Sequence, residues 1–281
     1  PGTGGGPVTD GEGLHVEFDG PPDDGSSGRP VVALHGFTGS SAAMRPLTRP
    51  LADTRLVATV DLPGHGRSVI DDAQAYGFDH TVDAVARVID QHGLGPAHVV
   101  GYSMGGRIGL GLTVRHPECV ASLALVGASP GLSDPAERSA RRRADDELAD
   151  DLLEHGLPAF VDRWMASPLF ASQERLGADS LAAARAQRLT NDPDGLAASL
   201  RGAGTGAQQS YWHDLAGIDV PVLLLVGDED PKFRAIAMRM AAGLLRSAIE
   251  VVPEAGHAAH LEHPDHVVAA IRELLDQVDG R

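Results

Sequence analysis

The 281-residue chain has a single cysteine, Cys119, so no disulfide can form within it. Its setting, Glu118-Cys119-Val120 at the start of an apolar run, reads as a core thiol rather than a nucleophile. Lysine is almost absent as well: Lys232 is the only one, and arginine supplies the remaining positive charge. Acidic residues outnumber basic ones, 39 to 23, giving a formal net charge of −16. That balance argues against nucleic acid and anionic membranes as partners. No apolar run approaches the roughly 20 residues needed to cross a bilayer. Residues 1–13 are rich in Gly and Pro, with neither a basic start nor an apolar h-region, and read as a flexible lead-in rather than a signal peptide. A soluble cytoplasmic protein is expected. Aromatic residues make up only 4%, yet the 42% hydrophobic content suits one large domain, or one domain with an insertion.

What is present is a regular alternation. Short apolar runs at Leu14 to Phe18, Pro30 to Leu34, Leu56 to Val60, Ala97 to Val100, Val120 to Val126, Val220 to Val226 and Ala248 to Val252 read as buried strands. Helical patterns separate them at Ser41 to Leu51, Val82 to Gln91, Arg107 to Arg115, Phe233 to Leu245 and Pro264 to Val278. Near-continuous apolar strands alternating with helices predict an α/β fold with a mainly parallel sheet flanked by helices. Residues 130–214 interrupt the pattern: no β-like run occurs, and Pro and Gly punctuate helical spacing. They are expected to form an inserted helical cap, with 14–129 and 215–281 as the core.

Gly101-Tyr102-Ser103-Met104-Gly105-Gly106-Arg107 stands between a predicted strand and a predicted helix. Gly-x-Ser-x-Gly in that context is the nucleophile elbow of the α/β-hydrolase fold, whose turn is too tight for side chains at the flanking positions. The acid and base of such a site follow in the order Ser, Asp/Glu, His. The strand after the cap runs into Gly227-Asp228-Glu229-Asp230, and the last strand into Pro253-Glu254-Ala255-Gly256-His257. Both stand at carboxyl ends of strands, where open α/β sheets place their sites. Asp230 is preferred over Asp228, which is placed to serve the turn. His257 is preferred over His260 and His263, because it directly follows the glycine after the strand. The expected catalytic set is therefore Ser103, Asp230 and His257. The backbone N–H groups of Met104 and Phe37 are expected to form the oxyanion hole, Phe37 lying in the loop Leu34-His35-Gly36-Phe37.

Basic residues flank these positions: Arg107 lies one helical turn past Ser103, and Lys232 two residues past Asp230. Arginine grips carboxylates in a bidentate fashion, so a locally positive pocket inside an acidic protein suits a small polycarboxylate.

Four strings go further: Leu34-His35-Gly36-Phe37-Thr38-Gly39, Gly101 to Arg107, Arg201-Gly202-Ala203-Gly204-Thr205-Gly206-Ala207-Gln208-Gln209, and Gly227-Asp228-Glu229-Asp230-Pro231-Lys232-Phe233-Arg234-Ala235. Together they resemble the 2-succinyl-6-hydroxy-2,4-cyclohexadiene-1-carboxylate synthases of menaquinone biosynthesis, over roughly Val31 to Leu275. The resemblance implies an elimination rather than a hydrolysis: a triad-driven proton abstraction α to a ketone, with an enolpyruvyl ether leaving as pyruvate. It implies no cofactor and no metal. It also implies that Tyr102, Arg107 and the cap residue Trp164 contact substrate. Among Arg141, Arg142 and Arg143 it favours Arg142, and near Arg185 it favours Arg188. The lead-in and the loop 20–28 depart from the family pattern. The competing readings are a serine hydrolase working through an acyl-enzyme, which would need no basic residues around Ser103, and a binding module, which would need no triad.

Overall fold

A computed structural model describes residues 8–9, 13–21, 28–68, 70 and 72–281. Most of the lead-in and of the loop 20–28 therefore lies outside the described residues. Within the lead-in, Val8–Thr9 (β1) pairs antiparallel with His15–Asp19 (β2), so the sheet begins inside that segment.

The remaining strands are Val31–Leu34 (β3), Val57–Val60 (β4), Ala97–Tyr102 (β5), Val120–Val126 (β6), Val222–Gly227 (β7) and Ser247–Val252 (β8). The eight-stranded sheet has the order β1-β2-β4-β3-β5-β6-β7-β8. β3 to β8 run parallel, and only the two first strands are antiparallel to their neighbours. β3, β4 and β7 are buried along their whole length, which is why they read as unbroken apolar runs rather than as alternating ones.

Both faces are covered. Ser41–Ala52 (α1), Ala259–Glu262 (α9) and Pro264–Asp279 (α10) enclose one apolar cluster, which includes Met44, Leu47, Val126, Ile271 and Leu275. Phe78–Gln91 (α2), Met104–Arg115 (α3) and Pro231–Ala241 (α8) enclose the other, which includes Val82, Ile108, Leu123, Leu224 and Met240.

Between β6 and β7 lie Pro135–His155 (α4), Leu157–Met165 (α5), a 3₁₀ stretch Pro168–Leu176, Gly177–Arg188 (α6) and Pro193–Ala203 (α7). These helices hold their own small core of Ala149, Leu152, Leu157, Phe160, Val161, Leu196, Ala197 and Leu200. Phe37, in the loop after β3, packs against it, with ring centroids 5.2 Å from Trp164 and 6.3 Å from Phe160. Asn191 pins the other end, accepting from Gly66 N at 2.8 Å and donating to Thr38 O at 2.9 Å.

Asp-Pro opens three helices. Asp134, Asp192 and Asp230 each accept a hydrogen bond from a first-turn N–H, and the proline that follows occupies a position whose own N–H is not needed. For Asp230 this capping duty is combined with a second one.

Candidate active site

The parallel strands end at one edge of the sheet, and that edge gathers every part of the site. β5 breaks into α3 at Ser103, whose φ of 50° lies in the left-handed region that a side-chain-bearing residue rarely occupies. The turn closes because no side chain stands in the way. A Cβ on Gly101 would lie 2.5 Å from Gly105 O, and one on Gly105 would lie 2.2 Å from Leu34 O. Ser103 N donates to Val126 O at 2.8 Å, fixing the elbow to the neighbouring strand.

His257 follows β8 and is buried. Its Nε2 lies 3.1 Å from Ser103 Oγ and its Nδ1 2.9 Å from Asp230 Oδ2. The other oxygen of the same carboxylate accepts from Phe233 N at 3.1 Å, so the helix start holds the acid in place. Asp228 is exposed. His263 Nε2 lies 3.2 Å from Glu254 O. The third histidine, His260, is buried against the Tyr102 ring, 4.1 Å between centroids. Burial, with help from His257 and Arg188, pushes its pKa down to about 3, so it is neutral at physiological pH.

The loop after β3 is held by His35. Leu62 N donates to its Nε2 at 2.9 Å, so the ring proton sits on Nδ1 and is donated to Gly36 O at 2.8 Å. Burial lowers the His35 pKa, which keeps this neutral tautomer. Beside it, burial and His35 push His65 down to about 3. Phe37 therefore leaves a rigid corner. Met104 is the first residue of α3, so its N–H has no helical carbonyl to serve.

A cavity of about 130 Å³ opens over Ser103. Phe37, Tyr102, Trp164, Leu169, Phe170 and Phe233 give it apolar walls, and Ser103, His257, Arg107, Arg141, Asp145 and Lys232 bring polar groups into it. The Phe233 ring packs 4.4 Å from His257 between centroids. Burial raises the Tyr102 pKa, keeping the phenol neutral. Trp164 Nε1 is buried with no hydrogen-bond partner among the described residues.

Arg107 is 7% exposed. Among the described residues it donates to two acceptors, both neutral, Gln208 Oε1 and Ala203 O, each at 3.0 Å. Burial is the main cause, and Arg141 a second, that pushes its pKa down to about 10, with Asp145 opposing. It stays protonated at neutral pH. Lys232 is exposed at the rim, with no carboxylate within ion-pair distance among the described residues.

Two of the expected cap arginines are placed elsewhere. Arg142 is exposed and lines no cavity above Ser103; Arg141 lines it instead. An α-helix turns about 100° per residue, so only one member of the Arg141-Arg142-Arg143 run can face inward. Asp145, four residues on, accepts from Arg141 Nε at 2.7 Å and selects that residue. Arg188 does not line the cavity either: it turns back to donate to Ala184 O at 2.9 Å in its own helix, and burial lowers its pKa. Arg185 is paired with Asp162. Gln208 and Asp145 are site residues that sequence reasoning misses. The Gly-Thr-Gly-x-Gln string was the signal for the first, and an acid four residues from an arginine for the second. Among the described residues, no three His, Cys, Asp or Glu side chains are grouped to hold a metal ion, and no helix is long and apolar enough to cross a membrane.

Residues 29–264 match the family described as the alpha/beta hydrolase fold. A Bacillus subtilis (strain 168) protein named as a candidate 2-succinyl-6-hydroxy-2,4-cyclohexadiene-1-carboxylate synthase is 40% identical, covering 96% of this chain and 97% of its own length. An Escherichia coli (strain K12 / DH10B) protein bearing that synthase name is 32% identical, over 89% of this chain and 96% of its own. Among solved structures, MenH from S. aureus superposes with a TM-score of 0.88 at 33% identity, covering 94% and 98% of the two chains. A malate-bound thermophilic esterase from Thermogutta terrifontis reaches 0.82 at 26% identity, covering 95% and 94%. With its elbow, its parallel sheet and these relatives, the chain belongs to the α/β-hydrolase fold family and, within it, to the 2-succinyl-6-hydroxy-2,4-cyclohexadiene-1-carboxylate synthase family.

Proposed function

We propose that this protein eliminates pyruvate from 2-succinyl-5-enolpyruvyl-6-hydroxy-3-cyclohexene-1-carboxylate, forming 2-succinyl-6-hydroxy-2,4-cyclohexadiene-1-carboxylate, without a cofactor. Ser103 is the base. Its proton passes to His257 Nε2, and the resulting oxygen takes the ring C2 proton, which is acidified by the succinyl ketone beside it. Asp230 holds the imidazole tautomer and stabilises the imidazolium. The electron pair left on C2 delocalises onto the ketone oxygen, where the N–H groups of Met104 and Phe37 are proposed to receive it, each worth roughly 3 kcal/mol. As the charge returns, C2=C3 forms, the C3=C4 pair moves to C4=C5, and the C5–O bond breaks. The enolpyruvate that leaves takes up the proton and becomes pyruvate. No acyl-enzyme forms.

The observation that carries this reading is Arg107: a buried guanidinium in the cavity of Ser103 whose hydrogen bonds, among the described residues, go to neutral acceptors, and Asp145, the acid that acts on it, is itself bonded by Arg141, so a positive charge remains for a substrate anion. A neutral ester needs no such group. The names of the relatives point to the same reaction. In this reading residues 130–214 act as a cap over a core of 14–129 and 215–281, Tyr102, Trp164 and Lys232 border the substrate, and the enzyme works in the cytoplasm with small polycarboxylates as its ligands.

The test is release of pyruvate from this substrate, followed with lactate dehydrogenase, beside a panel of p-nitrophenyl esters. Pyruvate release with feeble ester turnover is expected. Brisk ester cleavage without pyruvate would hand the site to the hydrolase reading, for which the same triad is competent.

A further inference from the structure

A second cavity, of about 210 Å³, adjoins the first. The two share Ser103, Arg107, Arg141, Thr205, Lys232 and Phe233, so they meet at the reactive hydroxyl. Beyond that junction the walls change character. Aromatic rings dominate the first cavity, whereas the second has small residues, Gly127, Ser129, Gly131 and Ser133, and ends at Trp212 and Arg239.

The Arg239 guanidinium carbon sits over the Trp212 indole, 3.8 Å from the ring centroid, and Trp212 is itself anchored by Nε1 donating to Gly131 O at 3.0 Å. Neither Arg239 nor Lys232 has a carboxylate within ion-pair distance among the described residues, whereas ten other arginines do. A guanidinium held against an aromatic ring keeps its N–H donors available for a carboxylate. Glu137 is the one acid on the wall.

We infer that this second cavity is a carboxylate subsite in which Arg239, held on Trp212, receives the far end of the substrate's succinyl arm, with Lys232 at the junction behind it. This rests on the proposed elimination. The ketone must sit at the Ser103 junction for C2 to lose its proton. The flat ring then fits the aromatic cavity, and the two methylenes beyond the ketone run along the small-residue wall. The carboxylate closes the arm where Arg239 stands. The subsite selects substrates with an anionic acyl arm over those with a neutral one.

The test uses the full chain and the variants Arg239→Gln, Arg239→Glu and Arg239→Lys. In pyruvate release, KM is expected to rise about tenfold for the glutamine variant and further for the glutamate variant, with kcat within about twofold and the lysine variant partly restored, as for loss of a charge-assisted contact. Calorimetric titration with 4-oxo-4-phenylbutanoate, a stable aromatic ketone with the same arm, gives a readout independent of turnover. Binding is expected for the wild type and for Arg239→Lys, with loss in Arg239→Glu. An unchanged KM and unchanged analogue affinity in Arg239→Glu overturns the subsite while leaving the elimination standing. Absence of pyruvate release by the wild type, with Arg239-dependent binding of the analogue, overturns the elimination and keeps the carboxylate subsite.

Discussion

Arg107 and Gln208 lie 101 positions apart and meet through a 3.0 Å hydrogen bond in which the guanidinium donates to the amide oxygen. Gln208 is fully buried, and the contact joins the core helix that follows the serine to the segment returning from the cap. The acceptor is neutral, so Arg107 is held without being neutralised. Gln208→Leu should leave a buried charged donor unmet and cost about 1.5–3 kcal/mol in kcat/KM, mainly through KM. Pyruvate kinetics measured with thermal unfolding separate the roles. A lower melting temperature with untouched kinetics would make Gln208 a framework residue only.

Asp230 serves His257 with one carboxylate oxygen and caps α8 with the other. Asparagine caps helices as well as aspartate does, but it cannot stabilise an imidazolium. Asp230→Asn is therefore expected to lower kcat by about 10³–10⁴ while changing unfolding stability by less than about 1 kcal/mol. Stopped assays and urea unfolding on the same preparation check both halves.

Arg141 faces the cavity and Arg142 does not. Alanine at 142 should leave steady-state kinetics within error. Alanine at 141 removes a cavity cation and leaves buried Asp145 with a single bond, from Gly206 N, so kcat/KM should fall by about 2 kcal/mol. Equal effects of the two substitutions would show that the helix presents a different face to substrate.

A methyl group at position 105 would sit 2.2 Å from Leu34 O, backbone against backbone. No rotamer change relieves that, so Gly105→Ala should destabilise the fold by about 3 kcal/mol or more, visible in the urea midpoint. A midpoint equal to the wild type would mean that β3 and α3 can separate freely.

His98 is buried at the opposite end of the strands, 2.8 Å from Ser122 Oγ and 3.4 Å from Asp279, with Arg55 and Arg29 close by. Burial, opposed by Asp279, pushes its pKa down to about 4. The unfolded chain binds this proton more readily, near pH 6.5, than the folded one. Its contribution is thus complete above about pH 6.5 and is lost as pH falls towards 4, by at most about 1.4 kcal/mol per pH unit. Unfolding midpoints between pH 8 and 4.5 should fall with acid, and less steeply in His98→Asn. Parallel profiles for the two proteins would remove His98 from the acid response.

The sheet was legible because parallel strands buried on both sides are unbroken apolar runs, and Val120–Val126 appears at the limits its sequence suggests. Helix ends were harder. α3 begins at Met104 rather than Arg107, since the glycines that permit the elbow also hide the first helical turn. α2 begins at Phe78 rather than Val82, its first turn masked by Asp79 and His80. α8 stops at Ala241, where Gly243 turns the chain before Leu245. In the site, the elbow, Asp230 and His257 carry local signals: flanking glycines and strand ends. The cap arginines do not, because which of three consecutive residues faces inward depends on the rotation of a helix about its axis. Asp145 sets that rotation, and its role appears only once Gly206 is seen beside it.

The contact between Gly105 and Leu34 also acts as a ruler. Phe37 lies three residues beyond Leu34 on one side of it, and Met104 directly precedes Gly105 on the other. The two expected N–H donors are thus gauged by the closest approach of a strand and a helix rather than by the slack of a surface loop. On the strand side the loop that carries Phe37 is also braced by the inserted helices, through the Phe37 ring on Phe160 and Trp164 and through Asn191 on Thr38 O.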